Sequence, residues 1–439
     1  MRSTLLAVDR QLAQHSYYTA TAEPGPLHPA LAESTHCDVA VVGGGLAGLT
    51  AALELAERGF KVVLLEAHEI GWGASGRNGG QAIHGLACEQ STIEAQLGLA
   101  ESRRVWAMSL EALDLLRQRI QRHAIACDWR DGYLGLATTP RKGAALARWA
   151  DHMQAQYGFD LQRISPQDVG NWIASPRFHS GVHDPRSGHL HPLKYTRGLA
   201  RAAVQAGVRI HEHSAVLGLA PGSPARLHTA EGEVLADRVL LAGNVYLEGL
   251  APSLAARIMP VGTYIACTAV LDGALADSLI PSRAAVCDTN FALDYFRTTN
   301  DHRMLYGGRV SYSTRTPRDL AASMRARMVK TFAQLARAAI EYAWGGFVDI
   351  SMNRAPDFGR LPHPTGGPAN IYYLQGFSGH GLALTGLAGR LVAEAMAGDA
   401  TRFDVFARLR HRNFPGGPML RTPALVLGMA GLRLRDMLG

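Results

Sequence analysis

No apolar run in this 439-residue chain approaches the roughly 20 residues that cross a bilayer. The nearest, Ala424–Leu432, is short and followed by Arg433 and Arg435, which reads as a tail packed on the body or on a partner. The start sets Asp9 and Arg10 directly after a brief apolar patch, so it lacks the apolar core of a secretory signal. Cysteine is scarce: Cys37, Cys88, Cys127, Cys267 and Cys287 form an odd, scattered set without C-x-x-C spacing, which excludes a disulfide framework and fits reduced thiols in a cytoplasm. His189 and His191 have no carboxylate or cysteine at ligand spacing, so no metal site is expected. The net charge of +7 is spread over scattered arginines, and Arg408–Arg412 has no interleaved stacking aromatics. That pattern reads as a solvated face, with no nucleic-acid partner expected, and hints only weakly at an anionic substrate. With 47% hydrophobic and 18% charged residues the chain is too apolar to be disordered, and its length suggests two interleaved domains.

The stretch Cys37–Glu66 carries the strongest pattern. Asp38–Val42 is a β-branched apolar run suited to a buried parallel strand, and it ends at Gly43-Gly44-Gly45-Leu46-Ala47-Gly48, a G-x-G-x-x-G. Gly43 permits the tight turn, Gly45 lets a pyrophosphate approach the backbone, and Gly48 lets helix and strand pack closely. A helix Leu46–Arg58 then presents its N-terminal amides, Gly59 ends it, and Lys61–Leu65 forms a second strand. Glu66 stands where an acid accepts ribose hydroxyls, which selects FAD or NAD over NADP. A second glycine-rich stretch, Gly71–Gln81, offers another close approach of backbone to ligand.

Further along, residues 91–157 are largely helical and look like an inserted cap, with Trp129–Ala137 as a strand. A helix Pro192–Ala206 and a strand Val208–His213 echo the first unit and return the chain to its sheet. Arg226–Thr229 and Glu233–Ala236 form a hairpin, and Arg238–Ala242 a buried strand. From Met259 to Gly308 strands alternate, followed by a helix Pro317–Tyr342. Ile371–Met396 is again strand, glycine turn and helix, with amides near Gly379–Leu382 offered to a negative centre. The expected fold is α/β (α+β overall), a Rossmann-type domain for FAD or NAD interleaved with a mixed-sheet substrate domain. The division is an irregular lead-in at 1–36, the nucleotide-binding domain at 37–90, 188–258 and 350–410, the cap and substrate domain at 91–187 and 259–349, and a tail at 411–439.

The G-x-G-x-x-G unit, Ser75-Gly76-Arg77-Asn78-Gly79-Gly80 and Gly376-Phe377-Ser378-Gly379-His380-Gly381 together resemble the FAD-dependent amine and amino-acid oxidases of the D-amino-acid oxidase, glycine oxidase and sarcosine oxidase superfamily. Within it, Ser16-Tyr17-Tyr18, the 73–81 and 187–193 segments, 293–297, 305–308, 358–361 and 414–417 are most similar to the γ-glutamylputrescine oxidase branch of putrescine catabolism. The resemblance implies FAD. Its adenosine half falls to Gly43, Gly45, Leu46, Ala47, Gly48 and Glu66, its ring passes Ala74, Ser75, Arg77, Asn78, Gly79, Gly80 and Gln81, and Gly379, His380, Gly381 and Leu382 lie at the pyrimidine end. It also implies hydride transfer from the carbon beside a neutral amine, with oxygen as acceptor and hydrogen peroxide as product.

Departures from the pattern bear on substrate. Sarcosine oxidases hold the substrate carboxylate partly with a lysine two residues after the Gly-His-Gly turn, and Ala383 stands there, which favours an amine without an adjacent carboxylate. Arg354 matches the arginine that D-amino-acid and glycine oxidases use for that carboxylate, and is read either as a substrate contact or as an ion pair with a neighbour such as Asp357. Tyr295 and Tyr306 are pocket walls or core aromatics, and Arg77 faces flavin or substrate or caps its loop. His380 tunes the flavin or positions backbone. With no cysteine after Cys287 the flavin is expected to be non-covalent, with His84 as the alternative attachment point. An amino-acid or opine dehydrogenase passing electrons to quinone, and a flavin-binding module without catalysis, remain the competing readings. The oligomeric state is not legible.

Overall fold

The computed structural model describes Asp9, Leu12 and residues 15–247, 249–290, 293–311, 319–363 and 365–415, and it is built on two sheets. The first has eight strands, and its main path runs Asp357–Leu361, Ile371–Gln375, Glu233–Leu241, Thr35–Val42, Val62–Leu65, Arg209–His211. All neighbours along it are parallel except the first pair. Val62–Leu65 and the end of Thr35–Val42 are buried on both faces, as continuous apolar runs require when helices cover a parallel sheet. The helix Leu46–Ala56 begins at the glycine loop, and Gly59 leaves it with φ +90°. The helix Gly381–Met396 lies against it so closely that a Cβ on Gly389 would stand 2.4 Å from Thr50 Oγ1 and 2.6 Å from Ala51 N, and the Thr50 hydroxyl donates to Thr385 O (3.0 Å).

The second sheet has nine strands, in the order Ile340–Ser351, Ile258–Thr268, Met304–Ser311, Tyr295–Thr298, Ala285–Asp288, Arg130–Ala137, Ser180–His189, Gln81–Ala82, with Gln162–Ile164 beside Ser180–His189. Its period-two alternation separates two faces. Phe296, Tyr306, Tyr264 and Phe347 pack under the helix Leu320–Thr331 through Met324, Met328 and Phe332. Ile265, Leu305 and Trp344 face the other way and meet Tyr17 and Tyr18 of the lead-in. The lead-in therefore is not free-standing: Tyr17 OH donates to Asp301 (2.7 Å), and Arg297 Nη2 donates to Tyr18 OH (3.2 Å).

Four local expectations change. The helix expected over 317–342 spans Leu320–Thr331, and Ile340 opens a strand. Helix propensity in the alanine-rich stretch yields to the pairing of Tyr342, Trp344 and Phe347 with Ile258–Thr268. Glu233–Leu241 is one strand rather than two. The helix Leu99–Arg122, grouped with the cap by sequence, shares the core of the first unit, because Met108, Ala112, Leu115 and Leu116 face the helix Gly381–Met396 and its neighbours. Gln81–Ala82 pairs with Ser180–His189 of the second sheet. The stretch Ala424–Leu432 lies outside the described residues. No helix among the described residues is long and apolar enough to cross a membrane.

Gly389→Ala is expected to push the two helices apart and lower stability by about 1–3 kcal/mol. Thermal unfolding with loaded cofactor checks this; an unchanged transition would show that the contact yields without cost.

Candidate active site

At the C-terminal edge of the first sheet the chain makes a cradle out of backbone. Gly43 has φ +113°, and a Cβ there would stand 2.6 Å from Ala242 O; one on Gly48 would stand 2.0 Å from Gly43 O. Glycine is required at both, for the turn and for the close crossing. Glu66, at the end of the second strand, accepts from Gly44 N–H through Oε2 (2.6 Å) and from His68 N–H through Oε1 (2.9 Å). Burial raises its pKa against the pull of those amides. The acid thus lies against the glycine loop, where its spacing placed it.

The second glycine-rich stretch closes over the first. Ser75 Oγ accepts from Leu46 N–H (2.9 Å), so one helix-terminal amide is taken by protein rather than left for a ligand, and a Cβ on Gly45 would lie 2.8 Å from that hydroxyl. Asn78 Nδ2 donates to Ala74 O (3.0 Å) and Ser75 O (3.1 Å), and Asn78 Oδ1 accepts from Gly80 N–H (2.8 Å). The second sheet holds the other side. Trp344 Nε1 donates to Arg77 O (2.9 Å), Arg297 Nε to Gly79 O (2.9 Å), and Gln81 Nε2 to Val286 O (3.1 Å).

The third element is the turn before Gly381–Met396. Ser378 and Gly379 both have positive φ (+52° and +85°), no heavy atom lies within 4 Å of a Cβ built on Gly379, and His380 is the N-cap residue. His380 Nε2 lies 2.8 Å from His84 O, and burial lowers its pKa to about 4, so it is neutral. Beneath the turn, buried Asp349 accepts from Gly376 N–H, and burial raises its pKa to about 6. No spacing rule pointed to Asp349, which lies on the strand Ile340–Ser351.

The substrate candidates separate. Arg354 sits in left-handed backbone (φ +60°), uncommon outside glycine, and its buried Nε has no hydrogen-bond partner. It does not pair with Asp357, which instead meets Arg257 (3.4 Å) and accepts from Gln375 Nε2 (2.9 Å). The Arg354 charge reaches His380, whose pKa it helps to lower. Tyr295 lies against Gly79 and Gly307, on the face of the second sheet that meets the glycine-rich loop. Tyr306 does not join them: it is fully buried on the opposite face, stacked on Phe296 and hydrogen-bonded to Thr331 (2.8 Å). One step in register decides between wall and core. The Arg77 guanidinium pairs with buried Asp9 (2.9 Å) and lies 4.3 Å from the centre of the Trp72 ring. Tyr246 OH donates to the same Asp9, whose pKa burial raises and Arg77 lowers. His189 and His191 have structural duties: His189 Nε2 lies 2.9 Å from Arg283 O, and His191 Nδ1 accepts from Lys194 N–H (3.2 Å) at a helix start.

Two helix N-termini, a buried acid and a tight glycine loop on one sheet edge define a dinucleotide-dependent oxidoreductase, and this arrangement fits FAD. The model of the FAD dependent oxidoreductase (DAO) family matches residues 38–395. The chain belongs to that family. It is 43% identical over 425 residues to the gamma-glutamylputrescine oxidoreductase of Escherichia coli (strain K12), covering 97% of this chain and 98% of the relative. It is 38% identical to the probable oxidoreductase OrdL of Haemophilus influenzae, covering 96% and 97%. The crystal structure of glycine oxidase from Geobacillus kaustophilus superposes with TM-score 0.69 at 21% identity, covering 83% of this chain and 95% of that one. The protein is an FAD-dependent oxidoreductase.

Gly45→Val should purify with less than about one-tenth of the wild-type flavin while keeping its helical content, because the branched side chain enters the space between the loop and Ser75. Flavin absorbance per protein and far-ultraviolet circular dichroism check this; full loading would reject the cradle.

Proposed function

We propose that the enzyme oxidises the terminal amine of γ-glutamylputrescine, or of a similar N-acylated diamine, using oxygen as acceptor and yielding an aldehyde, ammonia and hydrogen peroxide. Arg354 carries this reading. It is a cation held in strained backbone beside the His380 turn, with no carboxylate of the described residues paired to it, so it suits an anionic group on a ligand. The relative named for gamma-glutamylputrescine supplies the substrate class. Ala383, buried on the first turn of the same helix, offers no cation for a carboxylate next to the reacting carbon.

When bound, FAD accepts the hydride from the carbon beside nitrogen. The chain's own residues do the rest. Gly43–Gly48 and Glu66 would hold the adenosine half, and Ser75–Gln81 the middle of the cofactor. The amides at Gly379–Leu382 would stabilise negative charge developing at the pyrimidine end. Arg354 would fix the distant glutamyl carboxylate, and that remote binding positions the amine. Water then hydrolyses the imine product.

Peroxide release with γ-glutamylputrescine, putrescine, sarcosine, glycine and D-alanine tests the reading. γ-Glutamylputrescine should have the highest kcat/KM, and free putrescine a higher KM because it lacks the anionic head. Arg354→Met should narrow that gap by removing a charge-assisted hydrogen bond of about 1.5–3 kcal/mol, roughly 10- to 100-fold in kcat/KM. Best turnover on D-alanine or sarcosine would move the protein to the amino-acid oxidases, and flavin reduction without peroxide would make it a dehydrogenase.

The flavin is expected to be non-covalent. Cys287, last of the cysteines, directs its Sγ to Gln81 Oε1 (2.9 Å), and the His84 ring is engaged with Asp184. Acid precipitation should leave the yellow colour in the supernatant; colour in the pellet would contradict this.

A further inference from the structure

We propose that His84 and Asp184 form the acid–base pair that takes the proton from the substrate ammonium group, so that nitrogen enters oxidation neutral. This rests on the amine-oxidation reading above. His84 Nδ1 lies 2.7 Å from Asp184 Oδ2, and Ser187 Oγ donates to the same oxygen (2.6 Å). An ionised carboxylate only accepts, so Nδ1 carries the hydrogen and Nε2 keeps the lone pair. Among the described residues Nε2 has no hydrogen-bond partner, and the ring keeps 10% of its surface open while Asp184 is fully buried.

The pair stands where a substrate amine would meet it. Asp184 lies opposite Tyr133, which lies opposite Ala285, two residues from Cys287, itself opposite Tyr295. All point from the face of the second sheet that the glycine-rich loop covers, through Gly79 on Tyr295 and Gln81 on Cys287. The His84 carbonyl is the partner of His380 Nε2, so the pair also adjoins the N-terminus of Gly381–Met396. The rings of Trp106, Tyr133, Trp149 and Phe159 surround the imidazole at 4.7–6.1 Å.

Charged and neutral groups both face His84. Asp184 contributes a buried carboxylate; burial alone would raise its pKa, but the His84 contact, Ser187 and the Arg186 N–H bring it below the ordinary range. Arg186 reaches the far oxygen of Asp184 at 3.7 Å, and its guanidinium lies over the Phe159 ring. Tyr133 and His380 are neutral, and Arg354 acts from beyond His380. The rings of Trp106 and Trp149, from the helices Leu99–Arg122 and Pro140–Tyr157, carry no charge.

An ammonium nitrogen has no lone pair, so hydride cannot leave the adjacent carbon. In the step assigned here one N–H bond of the ammonium breaks and an Nε2–H bond forms, with the electron pair staying on the substrate nitrogen. That pair becomes the second bond of C=N as the hydride leaves for oxidised FAD, which the family supplies as oxidant. Asp184 holds the tautomer and the resulting imidazolium.

The test is anaerobic reduction of the bound flavin by γ-glutamylputrescine across pH. His84→Gln, with flavin content and melting temperature checked, should lose about 10²- to 10⁴-fold in the reduction rate near neutrality. It should recover towards the wild-type rate as pH approaches the amine's own pKa of about 10, where the nitrogen is already neutral. Asp184→Asn should show the same profile with a smaller loss. A second readout needs no turnover: in 15N-histidine-labelled holoenzyme, a γ-glutamylputrescine carrying two methyl groups on its amine-bearing carbon has no hydride to give. Its binding should convert the His84 resonances from neutral to imidazolium, assigned by their shift in Asp184→Asn. A His84→Gln profile shaped like wild type, or unchanged resonances with the analogue bound, overturns the pair. If His84→Gln does not load flavin, Asp184→Asn and the resonance experiment decide. A wild-type enzyme whose flavin no amine bleaches would bring down the amine-oxidation reading itself, whereas wild-type bleaching with an unaltered variant profile sinks only the pair.

Discussion

The architecture depends on two helices that cross closely at one glycine. Gly389 gives Thr50 and Ala51 room to approach the backbone of the helix Gly381–Met396, and the Thr50 hydroxyl bridges the contact through Thr385 O. Both helices then begin at the same edge of the parallel sheet, so two positive dipole ends converge on one region. Such an arrangement favours an extended anionic cofactor that carries phosphate at one end and developing negative charge at the other. Helix Leu99–Arg122 buttresses the pair, and Glu54 ties all three helices through Arg119 (2.7 Å), Arg390 (3.2 Å) and Arg58 (2.7 Å). Burial would raise the Glu54 pKa, but these arginines lower it, so the carboxylate stays ionised and each partner remains paired.

The loop over residues 71–81 has little structure of its own, and its shape comes from what grips it. Asn78 folds its ends together, Ser75 latches it to the first helix, and Trp344, Arg297 and Gln81 attach it to the second sheet. Its glycines are needed where neighbours leave no room: a Cβ on Gly80 would stand 2.2 Å from Leu190 O, and one on Gly79 would be 2.5 Å from the Tyr295 ring. The lead-in adds a further tie, because Asp9 reaches Arg77 and Tyr246 in a buried cluster. Glycine-rich loop, second sheet and N-terminal segment are therefore mechanically one unit.

Electrostatics around the His380 turn are asymmetric. His380 is held neutral, Arg354 is charged and unpaired among the described residues, and Asp349 lies buried beneath the backbone amides of the turn.

Local pattern was enough for the cofactor unit. Glycine positions, a β-branched run, a C-capping Gly59 and an acid at 66 are all set within thirty residues, where turn sterics and helix geometry act without help from the rest of the chain. The same holds for the Gly376–Gly381 turn and its helix. Alternation marked the second sheet but not which face met the cofactor, since a one-residue step moves a side chain between them; hence Tyr295 and Tyr306 could not be told apart until register was known. Ile340–Tyr342 read as helix because propensity is local, whereas cross-strand pairing with Ile258–Thr268 is not. His84 and Asp184 are one hundred residues apart, Asp9 and Arg77 sixty-eight, and Asp349 precedes Gly376 by twenty-seven. Sequence by itself determined the cofactor class and the glycine turns with the helices that follow them. Only the tertiary structure decided which charges are paired, which face of the second sheet meets the glycine-rich loop and which histidine nitrogens lack a hydrogen bond among the described residues, because those depend on distances between segments that no periodicity encodes.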